Sequence, residues 1–172
     1  KSVNPDSPLA GIIGKVHRDF QIEGTGNIAA HFSRLPGGKA KCRGYISPQR
    51  VSGRYSHFPL PLKDVTGRIE FDETGIRRLD LTAHKGDAVL HAIGELQDVR
   101  YLDHWRTVFD VSVTGQNLAL DADLHRALPQ EGLAAWKEVR PAGSTDATVH
   151  LFRHDPTEKL AIEIDIRPRG NL

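Results

Sequence analysis

The chain has 172 residues, 38% of them hydrophobic and 26% charged, with 23 Lys plus Arg against 22 Asp plus Glu. That length holds one domain with a core or a slab of a longer array, and the even, near-neutral charge, without a basic run, gives no electrostatic support for nucleic acid as a partner. A single cysteine, Cys42, excludes an internal disulfide and a cysteine-based metal cluster, and no stretch approaches the roughly 18 apolar residues of a membrane helix.

The first residues, 1–21, contain Pro5, Pro8, Gly11 and Gly14 and read as a connector. Strand candidates follow at 27–35 and 39–47, joined by the turn signal Pro36-Gly37-Gly38. The clearest alternation runs over 65–96. Val65, Gly67, Ile69 and Phe71 share one face, and Thr66, Arg68, Glu70 and Asp72 the other. Glu73-Thr74-Gly75 turns the chain, and Leu79, Leu81 and Ala83 then alternate with Arg78, Asp80, Thr82 and His84. After Lys85-Gly86-Asp87 comes a less one-sided strand, with Val89 and Ile93 on one face and Leu90 and Ala92 on the other. Strict alternation predicts an antiparallel sheet with one apolar and one wet face.

A strand over 105–114 places Phe109, Val111 and Val113 together. The period then changes. Asp121 is an N-cap candidate for a helix through Leu128, stopped by Pro129. A second short helix, 130–139, puts Leu133, Trp136 and Val139 on one side. Two strands follow, at 147–153 and 160–166, and in the second Leu160, Ile162, Ile164 and Ile166 alternate with Ala161, Glu163, Asp165 and Arg167.

Sliding 24–48 forward by 120 residues lays it on 144–168 without a gap. Thr25 meets Thr145, Phe32 meets Phe152, Pro36 meets Pro156, Lys39 meets Lys159, Ile46 meets Ile166 and Pro48 meets Pro168. One reading is two unrelated hairpins with chance matches. The other is a tandem repeat: a β-rich module over 22–143 with a helical insert at 121–140, then the first hairpin of the next module over 144–172. The chain begins with Lys1 and lacks methionine, which reads as an excised or processed fragment.

Catalytic and metal chemistry find little support. Among nine histidines, His150 and His154 are four apart, which on a strand separates them by roughly 13 Å and prevents chelation of one ion. His84 and His91 flank a hairpin turn without a third ligand at sensible spacing. No Gly-x-Ser-x-Gly occurs, and Cys42, read as a small apolar strand residue, has no positional histidine partner. Asp110 with Asp121, or Glu70 with Asp80, read as solubilising charges rather than paired catalytic carboxylates. Gly24-Thr25-Gly26 lacks the Gly-Lys-Ser/Thr of a phosphate loop and reads as a flexible start to a strand. No enzymatic activity, metal or cofactor is expected. An aliphatic sheet face must be buried against helices, another sheet or a ligand.

The run Phe58-Pro59-Leu60-Pro61-Leu62-Lys63-Asp64-Val65-Thr66-Gly67-Arg68-Ile69, with Gly75-Ile76, Leu79, His84-Lys85-Gly86-Asp87 and Gly94-Glu95-Leu96, resembles a module of the AsmA/TamB superfamily. The resemblance covers 50–96 closely and the remainder in general character. It implies a non-enzymatic segment of a membrane-anchored bacterial envelope protein, in the periplasm, serving phospholipid transfer or outer-membrane biogenesis. The implied ligand is phospholipid or another acyl chain, with other envelope proteins as further partners. The fold expected is mainly β: a curved antiparallel, taco-like sheet with a small two-helix insert. Ile69, Phe71, Leu79, Leu81, Ile162 and Ile164 are the expected lipid-groove residues. The alternative is a structural or protein-interaction β-sandwich whose apolar faces pack on each other.

Overall fold

The computed structural model describes residues 20–38, 40–56, 58–102, 104–128 and 130–169. The alternating segments form eight strands: β1 (Phe20–Ser33), β2 (Lys41–Tyr55), β3 (Phe58–Asp72), β4 (Gly75–Lys85), β5 (Ala88–Tyr101), β6 (His104–Ala119), β7 (Ser144–Arg153) and β8 (Ala161–Arg169). Two helices, α1 (Ala122–Ala127) and α2 (Gln130–Val139), fill the crossing from β6 to β7. All strands belong to one antiparallel sheet whose spatial order is the chain order. The sheet is curved and does not close on itself. The expected fold class is therefore the one observed.

The strands outrun the segments that alternation marks, because pairing continues where the apolar pattern lapses. β2 extends past Pro48, which lies opposite Gly26, to Tyr55, which lies opposite Phe20. Phe20 and Gln21, placed by the sequence in a connector, already pair with Tyr55 and Arg54; the rest of that stretch lies outside the described residues. Gly24-Thr25-Gly26 sits inside β1 at a register shift rather than at its start.

Both hairpins of the internal alignment form. Gly38 N–H donates to Leu35 O at 2.9 Å and Glu158 N–H to Asp155 O at 3.1 Å, so the two turn-closing bonds themselves lie 120 residues apart. The second strands also agree: Cys42 and Ile46, like Ile162 and Ile166, point to the apolar side. The first strands do not. Ile28 and Phe32 share the apolar side through Ile46 and Cys42, whereas Thr148 and Phe152 pair with Asp165 and Ala161 on the other.

Curvature has local causes. Besides that between β1 and β2, register shifts interrupt four of the other six strand pairings, and bulges bend and twist the strand that carries them. Gly67, with φ +126°, is one such position. A Cβ there would stand 2.1 Å from Asp80 O, so no side chain fits without moving β4.

The larger buried cluster joins sheet and helices: Leu60, Ala88 and Leu118 pack with Leu124 and Ala127 of α1, and Phe58, Leu62, Leu90, Leu120 and Trp136 surround them. α1 starts as the sequence predicts. The Asp121 carboxylate accepts from Asp123 N–H and Leu124 N–H at 3.1 and 3.0 Å, satisfying two donors of the first turn. A smaller cluster holds Cys42, Phe71 and Ile46.

Candidate functional site

In an antiparallel sheet directly opposed residues project to the same side, so the register assigns every strand residue to a face. One row crosses all eight strands: Ile28, Ile46, Ile69, Leu79, Gly94, Val111, Leu151 and Ile162. Two residues along lies a second row, Gly67, Leu81, Ala92, Val113, Val149 and Ile164. Seven strand spacings make the first row roughly 34 Å long. Five of the six expected groove residues fall in these two rows. The sixth, Phe71, is on the same side, in the next row toward the β3–β4 turn, paired with Gly44 and Ile76.

Phe71 differs from the others in accessibility. It is 2% exposed. A Cβ on Gly44 would stand 2.7 Å from Phe71 Cζ, so the ring lies over the bare backbone of β2 and belongs to the wall of the face. Ile69, Leu79 and Leu81 are half-buried. Ile162 and Ile164, on the edge strand, are 54% and 61% exposed, as is Ile28 at 53% on the opposite edge.

Among the described residues no second sheet lies over these rows. The helices pack at one end of the face. Their sheet partners Leu60, Ala88 and Leu118 stand nine, six and seven residues along their strands from Ile69, Gly94 and Val111 of the long row. At the strand rise of about 3.3 Å, that is roughly 20 Å or more. The long row thus runs clear of the helix-covered cluster.

The opposite face is wet and laced with charge. Arg68 pairs with Glu70 at 2.8 Å, Arg78 with Asp80 at 3.1 Å, and His91 Nε2 with Asp80 at 3.0 Å. The carboxylates weighed as pairs are thereby engaged. The hydrogen bonds from His91 and Arg78 hold the Asp80 carboxyl below the usual carboxylate range.

One arrangement overturns the strand-spacing argument for His150 and His154. β7 ends at Arg153, and His154 turns back, so its Nε2 reaches Asp110 Oδ2 at 3.0 Å while His150 Nε2 reaches Oδ1 at 2.8 Å. The Phe152 ring stands between the imidazoles, with centroids 4.6 Å from His150 and 5.0 Å from His154. The two histidines share one carboxylate, which they hold below its usual range, His154 contributing most. Asp110 in turn raises His150, whose Nδ1 lies 3.6 Å from Glu163. Among the described residues no group of three or more His, Cys, Asp or Glu is placed to hold a metal ion. Cys42 is 3% exposed on the apolar side, and burial pushes its thiol up, with Glu73 and Asp72 adding to the effect. That is the environment of a small packing residue rather than a nucleophile.

Fold and face together define an open, single-layer β-meander with one continuous aliphatic side. No protein-family model, no curated protein and no solved structure matches the chain.

Proposed function

We propose that this chain is a lipid-carrying segment of a bacterial envelope protein, with phospholipid acyl chains lying along the aliphatic face. The observation that carries the reading is the eight-strand row from Ile28 to Ile162, aliphatic except at Gly94, with no second sheet over it among the described residues. Exposed aliphatic surface of that extent is costly in water, and an acyl chain laid on it removes both hydrocarbon surfaces from water at about 25 cal/mol per Å². Half-burial of Ile69, Leu79 and Leu81 without a covering layer fits a sheet curved toward that side, where side chains crowd one another. In this reading the parent protein is membrane-anchored and periplasmic, and the face carries no chemistry: its role is to hold hydrocarbon and let it move.

The test is organic extraction of the purified protein followed by mass spectrometry for co-purified phospholipid, repeated with Leu81→Asp. A carboxylate at Leu81 faces hydrocarbon without a partner, at a cost of about several kcal/mol. The expected result is an unchanged circular dichroism spectrum with loss of lipid. Unchanged lipid binding in a folded Leu81→Asp protein overturns the reading. Wholesale unfolding instead supports the structural or protein-interaction alternative, in which this face is packed as a core.

A further inference from the structure

The end of the aliphatic face away from the helices carries a cation. Arg153, the last residue of β7, lies opposite Phe109, which pairs in turn with Leu96. Leu96 lies opposite Ile76 and Ile76 opposite Phe71, so Arg153 stands at the β7 end of the row that contains Phe71. Its guanidinium carbon is 5.3 Å from the Phe109 ring centroid, which keeps the side chain on the aliphatic side. Leu151, one pleat back along β7, belongs to the eight-strand row.

The Arg153 Nε is buried and makes no hydrogen bond among the described residues. Arginine stays protonated at any ordinary pH, so this is a cationic donor held out of water without an acceptor. Lys85, at the helix end of the same side, shows the usual remedy, since it is buried but ion-paired with Asp121. Among the described residues no carboxylate does the same for Arg153. Asp110 lies opposite Phe152, on the other face, where it holds His150 and His154. Asp155 accepts from Thr157 in the β7–β8 turn. Asp98 is on the same side but two strands across and one row on, roughly 12 Å away between Cα atoms, and it accepts from Thr107 Oγ1 at 2.6 Å.

We propose that Arg153 binds the phosphate of a lipid headgroup, with the acyl chains laid from Leu151 onto the long row. This rests on the lipid-carrying reading and adds which end of the ligand sits where. A guanidinium presents paired N–H donors that match two phosphate oxygens, and a phosphate supplies the acceptor that Nε lacks. The charge stands at the rim where β7 ends, and hydrocarbon begins one pleat, roughly 7 Å, further in. The face therefore distinguishes a phosphate-bearing lipid from uncharged hydrocarbon and sets the direction in which the lipid lies.

Calorimetric titration with two short-chain lipids tests this: dihexanoylphosphatidylglycerol and dihexanoylglycerol, which share acyl chains and differ in phosphate. The wild-type chain is expected to bind the phospholipid about tenfold or more tightly than the neutral lipid, with the difference shrinking as salt rises. Arg153→Gln is expected to abolish that difference by weakening the phospholipid alone, and Arg153→Lys to keep part of it. Equal binding of the two lipids by the wild type, or a phospholipid preference that survives in Arg153→Gln, overturns the anchor and leaves the hydrocarbon reading standing. Binding of neither lipid removes the lipid reading itself, and the anchor with it. Inorganic phosphate that competes as strongly as the phospholipid marks a free-anion site and overturns the headgroup assignment. Circular dichroism checks the fold of both variants. If Arg153→Gln unfolds, the salt dependence in the wild type and the partial loss in Arg153→Lys decide the matter, and a preference unmoved by both overturns the proposal.

Discussion

Lys85 Nζ lies against the Asp121 carboxylate and ties the end of β4 to the first turn of α1. The lysine side chain is 8% exposed, and Asp123 stands 3.9 Å beyond it. Lys85 shares its side of the sheet with Ala83 and Ala88, so its charge on that side is neutralised where the helices begin. Asp121 therefore does two things at once: one oxygen caps the helix and the other meets the lysine.

Substituting Asp121 separates these roles. Asp121→Ala removes the cap, worth about 1 kcal/mol, and also strands a buried ammonium, so a total loss of about 2–3 kcal/mol is expected. Asp121→Asn retains an oxygen for the Asp123 and Leu124 N–H groups and loses only charge, so it should cost less. Chemical denaturation of both variants checks the order. The hydrogen bond from Lys85, then that from Leu124 N–H, holds the Asp121 carboxyl below its usual range. A depressed native pKa gives stability that is complete above the unfolded value, near 4, and lost as pH falls through the native one. The acid limb of the stability curve should flatten in Asp121→Asn.

Trp136 packs on the Leu60–Leu124 cluster and meets His125 edge to face, with ring centroids 5.4 Å apart. It is half-buried, so Trp136→Ala should cost about 1–3 kcal/mol, short of the 3–5 typical of a fully buried tryptophan. A denaturation midpoint that does not move would show that α2 adds nothing to the sheet.

Gly44 is the position where β2 lets another chain segment come closest. A Cβ there would stand 2.3 Å from Ala29 O as well as 2.7 Å from Phe71 Cζ. Ala29 O is backbone and cannot swing aside. Gly44→Ala should therefore destabilise by about 2–4 kcal/mol and disturb Phe71, and Gly44→Val by more. Near-ultraviolet circular dichroism and thermal unfolding together measure both effects.

The carboxylate shared by His150 and His154 sets an acid-side window. Hydrogen bonding to Asp110 raises His150, so the stability it lends is complete below the ordinary histidine value, about 6.5, and fades as pH rises through the higher native one. Asp110 works oppositely: its contribution is lost as pH falls through its lowered native pKa. The cluster is thus strongest between these limits. Proton NMR should show His150 titrating above an ordinary histidine in the wild type and falling back in Asp110→Asn.

How far residues alone led is visible strand by strand. β3, β4 and β8 were legible because aliphatic and charged residues alternate without interruption, as in Leu79-Asp80-Leu81 and Ile162-Glu163-Ile164. β5 was not, since Val89 and Ile93 are aliphatic too. The register puts them with His84 and Asp80 on the wet face, 38% and 47% exposed, and Leu90 and Ala92 on the other. The helices were legible from a cap and a change of period. The placement of the expected groove residues on one side followed from parity, but the burial of Phe71 did not, because it depends on a glycine one strand away. The meeting of His150 and His154 was missed for a different reason. Four-residue spacing on a strand forbids it, and only the end of β7 at Arg153 allows the second imidazole to return.

The meander order has a consequence for how the chain folds. Every strand pairs with its neighbour in sequence, and the longest excursion between paired strands is the helical crossing from β6 to β7. Loop-closure entropy is therefore small at each step, and the sheet can grow one hairpin at a time as the chain leaves the ribosome. Stability in such an array is close to a sum over adjacent pairs, so a defect in β4 weakens the seams on its two sides and leaves the β7–β8 hairpin nearly untouched. Hydrogen exchange should then report protection that falls off from a damaged strand by distance along the array, in place of one cooperative melt.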